Sequence, residues 1–378
     1  MNGTHAPQRR LDLAELLSAL HHRSTHHLSA SECPTLGLPA LLAYAGPEDL
    51  ARWEALDFAY TDPHGAPWLR ATIAGTYDQP QQIVTFAGAQ EGLYASLHTV
   101  LGPGSHAIVV VPGYQAVETL CLGLAATTGV ALDPAGWSLD IGAVAAAIRP
   151  NTRLVCISFP NNPTGAQLPP DHLAALIALC RHHGVWLLSD EVYRHMEHDP
   201  ATRAPQIADL YERGISIGVL SKTYGLPGLR LGWVACADRG MAERIGAFRQ
   251  YLSVCSASPS EVLANIAIKA ADPITARNRA IALANLPVVD AFLARNPLFS
   301  WHAPRAGIVG YMRYAGAEGV EAFTTRMAAA GISLLPASVF RSDLCTLPSD
   351  HFRLGFGHPS FAAGLAAMAA ASVASPYE

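Results

Sequence analysis

A chain of 378 residues, half of them hydrophobic and 15% charged, can bury a large core and is too apolar for a disordered or nucleic-acid-coating protein. Its formal net charge of −5 leaves no basic field for a phosphodiester backbone, so nucleic acid is not an expected partner. The length fits one large domain with a smaller companion.

Residues 1–10 are polar and carry no signal-peptide core, which predicts a cytosolic chain. The seven cysteines are scattered, without a Cys-x-x-Cys pair, and free thiols are expected. Leu11, Leu13, Leu16, Leu17 and Leu20 form a short helical pattern. The doublets His21-His22 and His26-His27 have no Cys, Asp or Glu at ligand spacing, so they read as solvated histidines and no metal site is expected. Leu28 to Gly37 is too small and polar for a core element.

Tyr60-Thr61-Asp62-Pro63-His64-Gly65 precedes a helix ending near Tyr77. A strand over 83–86 then feeds Gly88-Ala89-Gln90-Glu91-Gly92 and a helix through 101. A glycine turn at a helix N-terminus offers unpaired N–H groups and the positive end of the dipole to an anion. The strand at 106–111 ends on Pro112-Gly113-Tyr114. Helix 115–126, strand 129–132, helix 139–148 and strand 153–159 alternate as βαβ units.

Pro160-Asn161-Asn162-Pro163-Thr164-Gly165 follows at a strand's carboxyl end, where open α/β sheets bind ligands. Helix 170–183 and strand 185–188 lead to Asp190. An unpaired carboxylate at the tip of a buried strand is costly and calls for a cation; a helix N-cap is the alternative. Past the apolar run Ile215, Ile217, Val219 and Leu220 sits Lys222. A lysine at the rim of a hydrophobic sheet suits Schiff-base chemistry with carbonyl compounds, against the alternative of a cationic surface loop.

Beyond Arg230, strand 231–237, helix 241–251, a polar loop 253–260 and helices 261–271 and 274–294 are expected. Strands at 299–302, 307–313, 332–336 and 351–356 make up a smaller α+β domain, with Arg353 flanked by apolar residues. The Ala-rich run 361–374 is too short to span a bilayer and reads as a terminal amphipathic helix, so no membrane contact is expected.

Four pieces carry a resemblance: Gly88-Ala89-Gln90-Glu91-Gly92, Pro160 to Gly165, Asp190-Glu191-Val192-Tyr193, and Val219 to Trp233. In content and order they are similar to the pyridoxal-phosphate aminotransferases of fold type I, class I/II, from about Tyr60 to Arg353. The resemblance implies an α/β fold: a large domain (46–273) with a mostly parallel seven-stranded sheet, and a small α+β domain (274–378) joined by an arm and substrate loop (1–45). It implies pyridoxal 5'-phosphate on Lys222, with Asp190 at the ring nitrogen, Asn162 and Tyr193 at the phenolic oxygen and Tyr114 stacked on the ring. Arg230, Ser221, Gly88, Ala89 and Gln90 would hold the phosphate, with Tyr60 reaching in from the second subunit of a homodimer.

Two departures stand out. The family commonly has a phosphate-binding serine where this chain has Val219. Its glycine-rich substrate loop is here Ser29-Ala30-Ser31-Glu32, which makes Glu32 a candidate reader of a substrate side chain or else a solvent-facing turn carboxylate. Arg353 corresponds to the arginine that grips the substrate carboxylate, a structural ion pair being the alternative. The implied reaction is transamination between an α-amino acid and a 2-oxo acid. The substrate could be an arginine-derived amino acid of antibiotic biosynthesis. The same site could serve a lyase or cyclase working at the β or γ carbon, as in the capreomycidine-synthase-like branch. A third alternative, a regulator with a cofactor-binding domain, needs a DNA-binding module ahead of it, for which about 27 residues are too few.

Overall fold

A computed structural model describes residues 23–373. The leucine-patterned helix at 11–20, the His21-His22 doublet and Ala374 lie outside the described residues.

Seven strands form one sheet: β1 (Gln82–Phe86), β2 (His106–Val111), β3 (Ala126–Ala131), β4 (Thr152–Ser158), β5 (Trp186–Asp190), β6 (Gly214–Val219) and β7 (Gly232–Cys236), in the order β1-β7-β6-β5-β4-β2-β3. Only β7 runs against its neighbours. Every residue of β2 is buried, because helices cover both faces of the sheet. Successive side chains point to opposite faces: Ile108 and Val110 join one core, Ala107, Val109 and Val111 the other. Val155 and Ile157 of β4 divide from Leu154 and Cys156 in the same way.

A second, antiparallel sheet has the order β10-β11-β9-β8, from β8 (Phe299–Trp301), β9 (Val309–Tyr314), β10 (Leu335–Pro336) and β11 (His351–Gly355). Phe299, Tyr314, Phe323 and Phe352 stack into an aromatic cluster on it, with Tyr314 and Phe323 centroids 4.2 Å apart. Such pairs add about 0.5–1.5 kcal/mol each beyond burial.

Most expected elements appear within a few residues of their expected bounds. The exceptions have physical causes. Strand 3 begins at Ala126 rather than 129, because Thr127 and Thr128 pair with β2 at the sheet's edge, where polar side chains are tolerated. The expected strand 332–336 shrinks to Leu335–Pro336: Ile332 instead bridges His26, and Ser333 N–H donates to His26 O at 2.9 Å. His26 therefore belongs to backbone pairing, and among the described residues no cluster of His, Cys, Asp or Glu could hold a metal. No helix among them is long and apolar enough to cross a membrane.

The N-terminal segment 25–34 lies between the two sheets. Gly355 N–H donates to Leu28 O at 2.7 Å, and the Ser29 and Ser333 hydroxyls meet at 2.8 Å. On its other side Cys33 N–H donates to Lys222 O at 3.3 Å. Gly355 has to be glycine, since a Cβ there would collide with Ala30 O.

Away from the sheets, the helix Pro47–Glu54 is tied to the helix Ser258–Lys269 by Asp49, 2% exposed. Its carboxylate accepts from Asn265 Nδ2 at 2.7 Å and from Lys269 Nζ at 2.9 Å. Asp49→Ala would leave the buried Asn265 amide without this acceptor, a loss of about 1–3 kcal/mol. A lower urea midpoint is expected, and an unchanged one would show the tie to be neutral.

Candidate active site

All strands of the large sheet except β7 run the same way, so the carboxyl ends of five of them deliver side chains to one edge. Strand β1 leads to Gly88 and the helix Ala89–Val100, β2 to Tyr114, and β4 to the Pro160–Gly165 loop. Strand β5 ends on Asp190 and β6 leads to Lys222. A cleft of about 310 Å³ opens there. Ala89, Gln90, Tyr114, Asn162, Asp190 and Tyr193 line it. So do Ser221, Lys222, Arg230, Arg353 and Glu32.

One corner is strongly positive. Arg230 sits in the left-handed region at φ +47, aiming its guanidinium back over the loop. Its acceptors are all neutral: Pro227 O at 3.0 Å, Ser221 Oγ at 3.3 Å and Ala87 O at 3.5 Å. Beside it starts the helix Ala89–Val100, with no side-chain cap on its first N–H groups. A cation next to the positive end of a helix dipole is unfavourable unless an anion joins them. Gly88, at φ +88, permits this approach: a Cβ there would lie 2.6 Å from Arg230 Nη2. Gln90 Oε1 is buried nearby without a protein partner. The guanidinium and the uncapped N–H groups of the helix fit a phosphate dianion.

At the floor, Asp190 is 5% exposed and its carboxylate accepts one protein hydrogen bond, from Val192 N–H at 3.3 Å. Burial raises its pKa to about 6, against the pull of that N–H and of Lys222. Turns follow Asp190 and no helix does, so the N-cap alternative fails. A carboxylate held this deep with so little compensation fits a cationic N–H from a bound ring. Lys222 Nζ donates to Ser31 Oγ at 2.9 Å. Burial lowers the amine's pKa; Glu32 and Asp190 oppose this and Arg353 reinforces it.

The far wall comes from the small sheet. Arg353, at the centre of β11, is 1% exposed. It donates through Nη2 to Ser29 O at 2.7 Å and through Nη1 to Asn162 Oδ1 at 2.9 Å, while Nε has no protein partner. Among the described residues it makes no ion pair, so the structural-pair alternative is not what holds it. Burial lowers its pKa, and Tyr193 and Glu32 oppose that. A guanidinium that meets only neutral acceptors and keeps one N–H spare suits an incoming carboxylate. Tyr193 OH donates to Ser31 O at 2.8 Å, and Glu32 Oε2 accepts from Ser31 N–H at 3.1 Å.

Two expected site residues stand apart. Gly88 touches Arg230 without lining the cleft, and Tyr60 lies outside it, 90% exposed. Ser31, Leu93, Gln115, Ser158, Val192 and Pro227 line the cleft unforeseen. Ser31 meets Lys222 across 191 positions, a contact no local pattern signals.

The family model described as aminotransferase class I and II matches residues 28–362. Capreomycidine synthase from Streptomyces vinaceus is 30% identical over 312 residues, 79% of this chain and 77% of that one. Arginine–pyruvate transaminase AruH from Pseudomonas aeruginosa is 34% identical over 214 residues, 53% of each chain. A crystal structure of a PLP-dependent aminotransferase from Streptococcus suis 89-1591 superposes with a TM-score of 0.89 at 27% identity, covering 97% of this chain and 98% of that one. With a cleft whose cations and buried carboxylate suit pyridoxal phosphate, and a match across nearly its whole length, the chain belongs to the class I and II aminotransferases, which are pyridoxal-phosphate enzymes.

Proposed function

We propose that this enzyme moves an amino group between an α-amino acid with a cationic, arginine-like side chain and a 2-oxo acid, using pyridoxal phosphate held in the Lys222 cleft. One observation carries the reading. Lys222, Asp190 and Arg353 open onto the same cleft, and beside them Glu32 presents a half-buried carboxylate with no ion pair among the described residues. The similarity to an arginine–pyruvate transaminase supports the same substrate class.

Arg230, Ser221 and the first N–H groups of the helix Ala89–Val100 would hold the phosphate. Asp190 would face the ring nitrogen, Tyr114 one ring face, and Asn162 and Tyr193 the phenolic oxygen. Pyridoxal phosphate, when bound, supplies an electron-withdrawing ring that stabilises negative charge at the substrate α-carbon. Arg353 grips the substrate carboxylate and so fixes which bond at that carbon faces Lys222. Burial favours the neutral amine, so Lys222 Nζ can take the α-proton and deliver it again. Such positioned proton transfer contributes on the order of a hundred- to ten-thousand-fold.

Val219 offers no hydroxyl toward the phosphate, and we assign that missing contact to Tyr60 of a second copy in a homodimer. Exposed Phe58, Tyr60 and Tyr251, at 78%, 90% and 89%, support this assignment. Phe58 and Val254, 78% and 47% exposed, also hold φ values of +58 and +64. The Lys222 side of the cleft follows the 46–273 division and the Arg353 side the 274–378 division, with the arm ending near 45 between them. Seven unpaired cysteines support a reducing, cytoplasmic setting.

The chain has two lysines, Lys222 and Lys269. Borohydride should therefore fix the yellow cofactor on Lys222, and a peptide map with the label on Lys269 would refute the assignment. In a half-reaction screen of single amino acids, arginine and its derivatives should convert the bound cofactor to its pyridoxamine form. Glu32→Gln should raise their KM about tenfold or more, as loss of a charge-assisted contact predicts, while sparing neutral amino acids. Equal effects on both classes would remove Glu32 from recognition. Mass analysis of the same reactions separates the second chemistry, ring closure at the β or γ carbon with loss of a leaving group from that carbon and no 2-oxo acid, which the similarity to capreomycidine synthase supports. Mixed dimers of Tyr60→Phe and Lys222→Ala should regain activity beyond the mean of the parents, because one site is then intact. No regain would confine each site to its own chain.

A further inference from the structure

We propose that Ser31 is a positioning residue for the Lys222 amine, holding Nζ by its hydroxyl whenever the amine is free in the cleft. This rests on the reading of Lys222 as the group that moves the α-proton. A lysine amine ends a flexible four-carbon stem, and an unheld one samples many directions at the moment of proton transfer. Here Nζ has a defined acceptor, Ser31 Oγ at 2.9 Å, on a residue only 6% exposed.

Contacts on several sides fix the backbone that carries this hydroxyl. The carbonyl of Ser31 accepts from Tyr193 OH at 2.8 Å, and its N–H donates to Glu32 Oε2 at 3.1 Å. Two residues earlier, Ser29 O accepts from Arg353 Nη2 at 2.7 Å, and the Ser29 hydroxyl meets Ser333 at 2.8 Å. Two residues later, Cys33 N–H donates to Lys222 O at 3.3 Å. Between them, Ala30 O lies so close to Gly355 that no side chain fits there. The segment thus references Ser31 Oγ both to the arginine proposed to bind the substrate carboxylate and to the backbone of the lysine itself. The hydroxyl sets where Nζ stands relative to the substrate α-carbon.

The charged and titratable groups facing Nζ are Glu32 and Cys33 from this segment, Asp190 from the end of β5 and Arg353 from β11. Ser31 adds a neutral acceptor among them, and removing it should favour the uncharged amine. The experiment is competitive amine labelling of the full chain freed of cofactor, across pH, with Lys269 as internal reference and mass spectrometry as readout. Ser31→Ala should move the Lys222 labelling midpoint about one pH unit lower, as expected for loss of a hydrogen bond to an ammonium. In single-turnover reactions of the cofactor-loaded enzyme with an α-deuterated amino acid, the same variant should slow α-hydrogen transfer about tenfold, with KM unchanged. Ser31→Thr, which keeps the hydroxyl, should restore both. An unchanged midpoint in Ser31→Ala, or a Ser31→Thr variant as impaired as Ser31→Ala, overturns the assignment. Borohydride labelling of Lys222 depends on neither result, so failure here leaves the cofactor lysine standing.

Discussion

Two neighbouring strands of the large sheet lead to opposite charges, a buried carboxylate and a half-buried amine. Asp190 closes β5, Lys222 follows β6, and each is electrically felt by the other. Isolated burial of either would cost several kcal/mol. Together, at the rim of a cleft, they remain unneutralised enough to bind something. The carboxylate has one backbone donor and the amine one hydroxyl acceptor. Most of the site follows from bringing this pair to one cleft while leaving each short of partners.

The remaining charges obey the same logic. Arg230, on the loop after β6, and Arg353, on β11, both line the cleft, and both rest on neutral acceptors. A cation satisfied by carbonyls and hydroxyls loses little when an anion arrives, whereas one locked to a carboxylate would have to break that pair first. Two unclaimed guanidiniums on different elements suit a complex with two anions, which the proposed function identifies as a phosphate and a substrate carboxylate.

Strong local signals were legible to the residue. Strand His106–Val111 is an unbroken apolar run after its first residue, and the helix Pro170–His183 opens on proline and stops at Gly184 in the left-handed conformation. The motif residues were legible too, since Asn162, Asp190, Tyr193, Lys222 and Arg230 do converge on one cleft. Failures came where tertiary pairing outranks local pattern. Ile332 to Leu334 are apolar enough for a strand, yet they take the N-terminal segment as their partner. Ser31 reads as a loop serine until that segment is threaded between the sheets, and Tyr60 has no place in a one-chain cleft.

Arg353 belongs to one sheet and Lys222 to the loop after another, and between them passes a single short stretch, residues 29–33. On the function proposed above, the candidate substrate reader Glu32 stands in that stretch next to Ser31, which touches the lysine amine. Evolution, or a protein engineer, could then retune position 32 to admit a different amino acid while Ser31 beside it and the strand termini beneath stay unaltered.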